Sequence, residues 1–263
     1  TGNKFEFRAV GSTANCAKPM KVLNTIVAKQ LKDFKIEVDK LIETKDLKKD
    51  EAVFNVLREY IKASKRILFE GNGYGIEWEK EAKKRGLSNN KTTPEALKAK
   101  ISKKSIKLYE EMNVMSEVET VVRYEVEMEE YTKRIQIESR VLGDIAGNHI
   151  VPTAVRYQNL LIKNVTGLKE IFGKDFEIHA AEQILLIKRI SEHIEGIHSK
   201  IDKMIDERKK ANKLENVEAM AEAYCFKVKP FFDEIRLHCD KLELMIDDEL
   251  WPLTKYRELL FTK

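Results

Sequence analysis

The sequence has few of the residues that tight turns, disulfides and membrane spans require. Its 11 glycines and 5 prolines in 263 residues are too few for the many turns of an all-β fold. Its three cysteines, Cys16, Cys225 and Cys239, form no CxxC pair, and such a sparse, odd set is typical of reduced thiols in the cytosol. No apolar run approaches the roughly 20 residues that cross a bilayer. These absences predict a cytoplasmic protein with no membrane partner.

A large excess of one charge is also lacking. The 48 Lys and Arg residues are nearly balanced by 44 Asp and Glu, which leaves a dispersed net charge of +4. Such a balance predicts neither a nucleic-acid groove nor binding to an anionic membrane. What the sequence does contain is Lys, Glu, Leu and Ile in abundance, and these residues favour helix. The sequence therefore predicts a mainly α fold built from long helices.

One short stretch does not fit a helix. In Lys4-Phe5-Glu6-Phe7-Arg8 the aromatic residues alternate with charged ones, which is the period of a half-buried strand, predicted here over residues 3–10. A carboxylate between two cations on one strand face can hold an anionic substrate bridged by a metal ion, or it can be a solvated face with loose ion pairs. No partner strand follows, so we expect this strand to be left over from the sheet of a larger protein.

Helical patterns begin directly after the strand. Apolar residues at three- and four-residue spacing predict a helix from Pro19 to about Glu43, which should pack on a second helix with Asp50 as its N-cap. The glycine-rich segment 71–75 lacks the features of a phosphate loop and predicts a turn. A third helix is predicted from Thr93, as N-cap, to about Met112, and Ser116 should cap a longer one.

The second half of the chain predicts a helical hairpin. Pro152 should kink or break the long helix. Apolar side chains then recur by three and four over 187–204 and again over 228–245, which predicts an antiparallel, coiled-coil-like hairpin with a local kink at Pro230. The tail at 250–261 is too apolar for a free end, and we expect it to dock.

Two groups of side chains resemble metal sites only superficially. The five histidines, at 149, 179, 193, 198 and 238, include no pair at the i, i+4 spacing of helical zinc ligands. His238 falls in an apolar core stripe. At such a position we expect an interior histidine whose hydrogen bonds are satisfied, or one that fixes the register between the packed helices. The acidic run at 125–130 lies beside Lys133 and Arg134, and a charged helix face explains it. From these residues alone the chain is a helical assembly module or a free-standing coiled-coil adaptor.

A resemblance to a known family adds a function. Lys4–Arg8, followed by Ala14-Asn15 and a proline-initiated helix, resembles the (K/R)-x-E-x-R segment of glutamine synthetases. Thr93–Leu97 and Val114–Glu117 look like the closing helices of that family's catalytic domain. Segments 69–74 and 247–261 look like the type III branch, which carries a large helical C-terminal extension. The similarity covers essentially the whole chain.

The resemblance implies a domain division and a set of roles. Residues 1–140 would be the end of the catalytic domain and 141–263 the helical extension. Glu6 matches a metal ligand, Arg8 matches the arginine that stabilises the transferred phosphoryl group and glutamyl phosphate, and Lys4 stands where a basic residue approaches the nucleotide phosphates. The reaction would be ATP-dependent formation of glutamine from glutamate and ammonia, with Mg²⁺ or Mn²⁺ in the intact enzyme.

The resemblance also implies that this chain is incomplete. One carboxylate cannot hold the metal ions, because hard cations need several oxygen ligands, and the family's other ligands lie upstream. We therefore expect the chain to be a C-terminal portion that binds no cofactor tightly and is inactive alone. The intact protein would assemble with itself into a ring. The alternative is a non-catalytic helical module whose role is oligomerisation.

Overall fold

Helix accounts for the regular structure of the described chain. The computed structural model describes residues 15–260, and every regular element in that range is helical. The α-helices are α1 (Ala17–Lys45), α2 (Lys49–Ser64), α3 (Ile76–Lys84), α4 (Thr93–Lys98), α5 (Lys103–Glu111), α6 (Glu117–Asp144), α7 (Val151–Phe172), α8 (Phe176–Ala211), α9 (Val217–Ala223), α10 (Pro230–Glu243) and α11 (Tyr256–Leu259). The predicted mainly α fold is confirmed. The strand predicted at residues 3–10 lies outside the described residues.

The chain divides into two compact units. The first contains the chain up to Lys91 together with Lys98–Tyr124, and the second contains Thr92–Leu97 and the chain from Glu125 onward. The boundary therefore falls inside α6. The predicted division at residue 140 concerns the domains of a larger protein, and it stays a prediction.

The first unit is organised around the pair α1 and α2. Val38 of α1 and Ala52 and Val56 of α2 are buried against each other, and the rings of Phe34 and Tyr60 meet edge to face with centroids 5.7 Å apart. The predicted packing of these helices is confirmed. The predicted N-cap is wrong, because α2 begins at Lys49 and so includes Asp50 in its first turn. The carboxylate there still faces the positive end of the helix dipole.

The helix predicted from Thr93 to Met112 is interrupted. Helix α4 ends at Lys98, a 3₁₀ turn follows at Ala99–Ile101, and α5 begins after Ser102. The hydroxyl of Ser102 accepts a hydrogen bond from the backbone N–H of Ser105 at 3.2 Å. A serine offers the backbone this local alternative to a continuous helix, and here the capping bond starts a new one. The predicted single helix is therefore wrong in its length.

Proline does not break the long helix at Pro152. A π-helical turn, Ile145–Ile150, joins α6 directly to α7, and the N–H of Val151 bonds the carbonyl of Ala146 five residues earlier. Proline has no N–H for the carbonyl four residues before it, so the widened turn keeps the chain helical where a regular α-helix would lose that bond. The chain continues as helix to Phe172.

The predicted antiparallel hairpin is confirmed. Helix α8 packs along α10, with Lys200 paired to Glu234 and His193 facing His238, so that residue numbers rise on one helix as they fall on the other. The connection between α8 and α9, residues 212–216, is short and mostly polar. Near Pro230 the structure again contains a π-helical turn, Tyr224–Val228, which Lys229 alone separates from the proline.

The core of the second unit lies along this hairpin. Three residues spaced seven apart on α8 are fully buried. Three more with the same spacing, which begin in the π-helical turn before α10 and continue into α10, are also fully buried. These residues are Ile190, Ile197 and Met204, and Val228, Ile235 and Leu242. The alternate members of each predicted stripe, such as Ile194 and Ile201, are only half-buried and pack at the margin of this core. The periodicity therefore identified the buried face.

The apolar tail docks on the same core. Trp251 is buried in it, and the ammonium group of Lys255 lies 5.8 Å from the Trp251 ring centroid. Lys255 also donates to the carbonyl of Glu243 at 3.1 Å and pairs with Asp248. The first part of the tail thus folds back on the end of α10, as predicted, whereas Leu259 and Leu260 remain exposed.

Candidate functional site

The residues predicted to act in catalysis lie outside the described part of the chain. Lys4, Glu6 and Arg8 all precede residue 15, so the nucleotide-contacting, metal-ligating and phosphoryl-stabilising roles stay predictions. Within residues 15–260, no three side chains of His, Cys, Asp or Glu come together in a way that could hold a metal ion. In the same range, no helix has both the length and the apolar character that a membrane span requires.

The acidic run on α6 is a charged surface of ion pairs. Glu129 pairs with Lys133 and Glu130 with Arg134, each one helical turn apart, at 3.4 and 3.6 Å. All four side chains are exposed, so each pair stabilises the helix only weakly. The predicted charged face is confirmed at these two pairs.

Arg85 fixes the residues on either side of the glycine-rich segment 71–75. Arg85 donates to the carbonyls of residues 66, 67 and 68 at 3.2 to 3.3 Å and pairs with Glu81 at 2.7 Å. Its guanidinium also lies within 6 Å of the rings of Phe69 and Trp78, which contact each other. Within the segment itself, Asn72 accepts hydrogen bonds from the backbone N–H groups of Tyr74 and Gly75 at 3.0 and 3.2 Å, so the predicted turn is confirmed.

Two histidines that the sequence separates by 45 residues meet across the hairpin. The Nδ1 atoms of His193 on α8 and His238 on α10 lie 3.0 Å apart. The ring centroids are 5.3 Å apart, which is the separation expected when both nitrogens lie on the line between the rings. Head-on nitrogens share one proton in an N–H···N hydrogen bond, whereas two ligands of one metal ion would converge at an angle. His238 is therefore a half-buried partner for another histidine.

A polar groove of about 400 Å³ runs between α8 and the helix formed by the end of α6 and its π-helical turn. We call it the arginine groove. One side is lined by Ser139, Arg140, Gly143, Asp144, Gly147 and Asn148, and the other by His198, Ile201, Met204, Ile205 and Arg208. Each set recurs at three- and four-residue spacing, so each helix presents one face to the groove.

Two arginines approach one end of the groove from opposite helices. The Nη1 atom of Arg208 lies 3.5 Å from the hydroxyl of Ser139, whose side chain is fully buried. The charges of Arg208 and Arg140 both act on the phenol of Tyr224. Burial raises the pKa of Tyr224, and these charges oppose that rise. The phenol donates to Oδ1 of Asn212 at 2.6 Å, which fixes it at the end of the groove.

Two further grooves lie in the first unit, and their linings are less polar than that of the arginine groove. One of about 650 Å³ lies between α1 and α2, where Tyr60 donates to Glu37 at 2.8 Å. The other, of about 560 Å³, lies between α1 and α5, where Lys29 is paired with Asp33 and Glu111. In each of these grooves at least one charged group already has a neighbouring partner, so neither presents two unpaired charges of one sign that face each other.

The chain is similar in sequence to glutamine synthetases. Residues 52–169 match the family model described as the glutamine synthetase C-terminal domain. A glutamine synthetase of Bacteroides fragilis is 50% identical over 264 residues, which are 100% of this chain and 36% of that protein. A type-3 glutamine synthetase of Dictyostelium discoideum is 33% identical over 100% of this chain and 36% of its own length. A glutamine synthetase of Butyrivibrio fibrisolvens is 31% identical over 81% of this chain and 30% of its own length.

These relatives are much longer than the region they share with this chain. The chain spans only 30% to 36% of their length. The match to the first two relatives nevertheless extends over the whole of this chain, through both compact units. The resemblance read from short sequence segments is thus confirmed by similarity along the entire sequence. The chain is therefore similar over its entire length to glutamine synthetases, one of them a type-3 protein, and residues 52–169 match that family's C-terminal domain.

Proposed function

We propose that the chain is part of an ATP-dependent ligase that forms glutamine from glutamate and ammonia through glutamyl phosphate. The observation that carries the proposal is 50% identity over the whole chain to a protein named glutamine synthetase. The charged segment Lys4–Arg8 supports it, because it has the residue types that phosphoryl transfer requires. We further propose that the protein acts in the cytoplasm and assembles with itself.

Each of the three charged residues has a distinct proposed role. The guanidinium of Arg8 would stabilise charge on the transferred phosphoryl group, which it can contact through two N–H groups at once. Lys4 would approach the nucleotide phosphates as a point charge. Glu6 would serve as a metal ligand. A bound Mg²⁺ or Mn²⁺ supplies neutralisation of phosphate charge.

The described residues do not supply the rest of a metal site. Residues 15–260 contain no cluster of three carboxylate, imidazole or thiolate groups, and one carboxylate is too few for a hard cation. The remaining ligands would therefore come from outside the region that this chain shares with its relatives. We propose for this reason that the chain alone binds no cofactor tightly and has no ligase activity.

The test compares this chain with a protein of the full length of its relatives that contains it. Glutamine formation and ATP-dependent phosphate release are measured for both, and for Glu6→Ala and Arg8→Gln in the longer protein. We expect activity only in the longer protein, with at least a hundredfold loss for either substitution. Lys18→Gln on α1 is the matched control, since it removes a positive charge ten residues from Arg8.

Two results would contradict the proposal. Activity in the 263-residue chain would show that it is complete, and an unchanged rate in Glu6→Ala would remove the proposed metal ligand. If the longer protein is inactive but forms the same oligomer with and without the charged segment, the second candidate holds, a helical assembly module. That candidate is supported by the long helices of the second unit, which carry much of the chain.

A further inference from the structure

The arginine groove has a distinct distribution of charge along its length. Because α6 and α8 are antiparallel, Arg140 and Arg208 lie at the same level, beside the buried hydroxyl of Ser139. Asp144 lies about one helical turn further along, and His198 lies at the opposite end. One end of the groove therefore carries two permanent positive charges.

The charges at that end are not balanced by carboxylates of the described residues. None of the ion pairs among residues 15–260 includes Arg140 or Arg208. Asp144, the acidic residue of the groove lining, is already engaged, since it accepts a hydrogen bond from Asn148 at 2.5 Å and lies 3.9 Å from His149. The nearby acid on α8, Glu207, pairs with Lys210. The two guanidiniums are thus available to an anion.

The shape of the groove comes from glycine and from the π-helical turn. A Cβ added at Gly143 would lie 3.6 Å from Met204, and one added at Gly147 would lie 3.6 Å from Ile201. Larger side chains at these glycines would fill the space between the helices. Gly147 lies within the π-helical turn, and such turns occur frequently at functional sites. The groove floor is therefore apolar while its end is cationic.

We propose that the arginine groove binds an oxyanion of the phosphate class between Arg140 and Arg208. Two guanidinium groups on opposite walls can each donate two N–H groups to one phosphate. The buried Ser139 hydroxyl positions one of them, since it accepts from Nη1 of Arg208 and itself donates to the carbonyl of Gln136. The volume of about 400 Å³ accommodates either free phosphate or the phosphate of a nucleoside monophosphate, whose base would rest on the half-buried Ile201 and Ile205.

The experiment is isothermal titration of the full 263-residue chain with inorganic phosphate and, separately, with adenosine monophosphate at fixed ionic strength. We expect Arg140→Gln and Arg208→Gln each to weaken phosphate binding about tenfold, and the double substitution to abolish it. Arg134→Gln is the matched control, because Arg134 is on the same helix and already pairs with Glu130. Tighter binding of the nucleotide than of phosphate would identify the base as part of the ligand; equal or weaker binding would identify free phosphate.

Two further variants keep the result interpretable. Arg208→Lys retains the charge but loses the paired N–H groups, so it should bind phosphate more tightly than Arg208→Gln while circular dichroism shows the same helix content. Arg8→Gln removes the cation proposed to act in catalysis and should leave groove binding unchanged, which separates this inference from the proposed ligase function. The proposal is overturned if neither probe binds, or if binding survives the double substitution or is lost with Arg8→Gln.

Discussion

His193 and His238 share one hydrogen bond across the hairpin, with their Nδ1 atoms 3.0 Å apart. Burial lowers the pKa of His193, and the neighbouring His238 and Lys241 lower it further, while Glu192 acts in the opposite direction. In the neutral pair one ring donates and the other accepts. If both rings were protonated, two N–H groups would face each other, so acid should disrupt this contact.

The first prediction concerns the pH dependence of stability. Because the folded-state pKa of His193 lies below the ordinary value of 6.5, the unfolded chain takes up the proton more readily. The contribution of this site to the free energy of unfolding is therefore fully present above about pH 6.5 and declines as the pH falls below it. Urea unfolding between pH 5 and 8, a window chosen around that value, should show a smaller pH dependence in His193→Gln than in the natural chain. His149→Gln, on the exposed surface, should leave the dependence unchanged; a parallel loss there would contradict the assignment.

The second prediction compares two glycines inside helices. A Cβ at Gly196 of α8 would lie 2.5 Å from the His238 ring, whereas a Cβ at Gly167 of α7 would meet nothing within 4 Å. Gly167→Ala should therefore raise the free energy of unfolding by about 0.5 to 1 kcal/mol, because alanine favours helix. Gly196→Ala should lose that gain, since the His238 ring must move away from His193. Thermal unfolding of both variants measures the difference, and equal stabilisation of the two would show that the ring adjusts freely.

The third prediction concerns the start of α6. The Ser116 hydroxyl accepts from the N–H of Glu119 at 3.2 Å, and the Ser116 N–H donates to the Glu119 carboxylate at 2.9 Å. Ser116→Ala removes the first bond and should lower the free energy of unfolding by about 1 kcal/mol. Ser116→Asn keeps an acceptor for that N–H and a donor towards the Glu119 carboxylate, which the hydroxyl also contacts at 3.1 Å, and should remain close to the natural chain. Equal losses in both variants, measured by urea unfolding, would show that the hydroxyl does not stabilise the helix.

Much of the fold could be predicted from local sequence patterns. The seven-residue spacing of Ile190, Ile197 and Met204 predicts a buried face because a helix repeats its orientation at that interval. Ser116 was recognisable as a cap because its bonds reach only three residues ahead. Such features need no knowledge of which segments meet, so the sequence alone identifies them.

Features that depend on the register between helices could not be predicted. His193 and His238, which are 45 residues apart in the sequence, are in contact, and Arg140 and Arg208, which are 68 apart, line the same end of one groove. A shift of one residue in the register of the packed helices would separate either pair. The π-helical turns were missed for another reason. Proline was expected to kink or break the helix at Pro152 and to kink it at Pro230; the helix is not broken at Pro152, and at both sites the chain accommodates the lost bond by a widened turn before the proline.

The last prediction concerns the three thiols. Cys16 is exposed, whereas Cys225 and Cys239 are buried, and burial raises the pKa of Cys239 to about 11. The reactive form of a thiol is the thiolate, so a buried thiol with a raised pKa reacts slowly with aqueous reagents near pH 8. A thiol-specific chromogenic reagent should therefore modify a single cysteine rapidly in the folded chain and all three in concentrated urea. Cys16→Ser should abolish the rapid phase and leave the total in urea lower by one. Rapid modification of a second thiol in that variant would show that the core around α10 opens readily, because Cys239 packs there with Ile235 and Leu242.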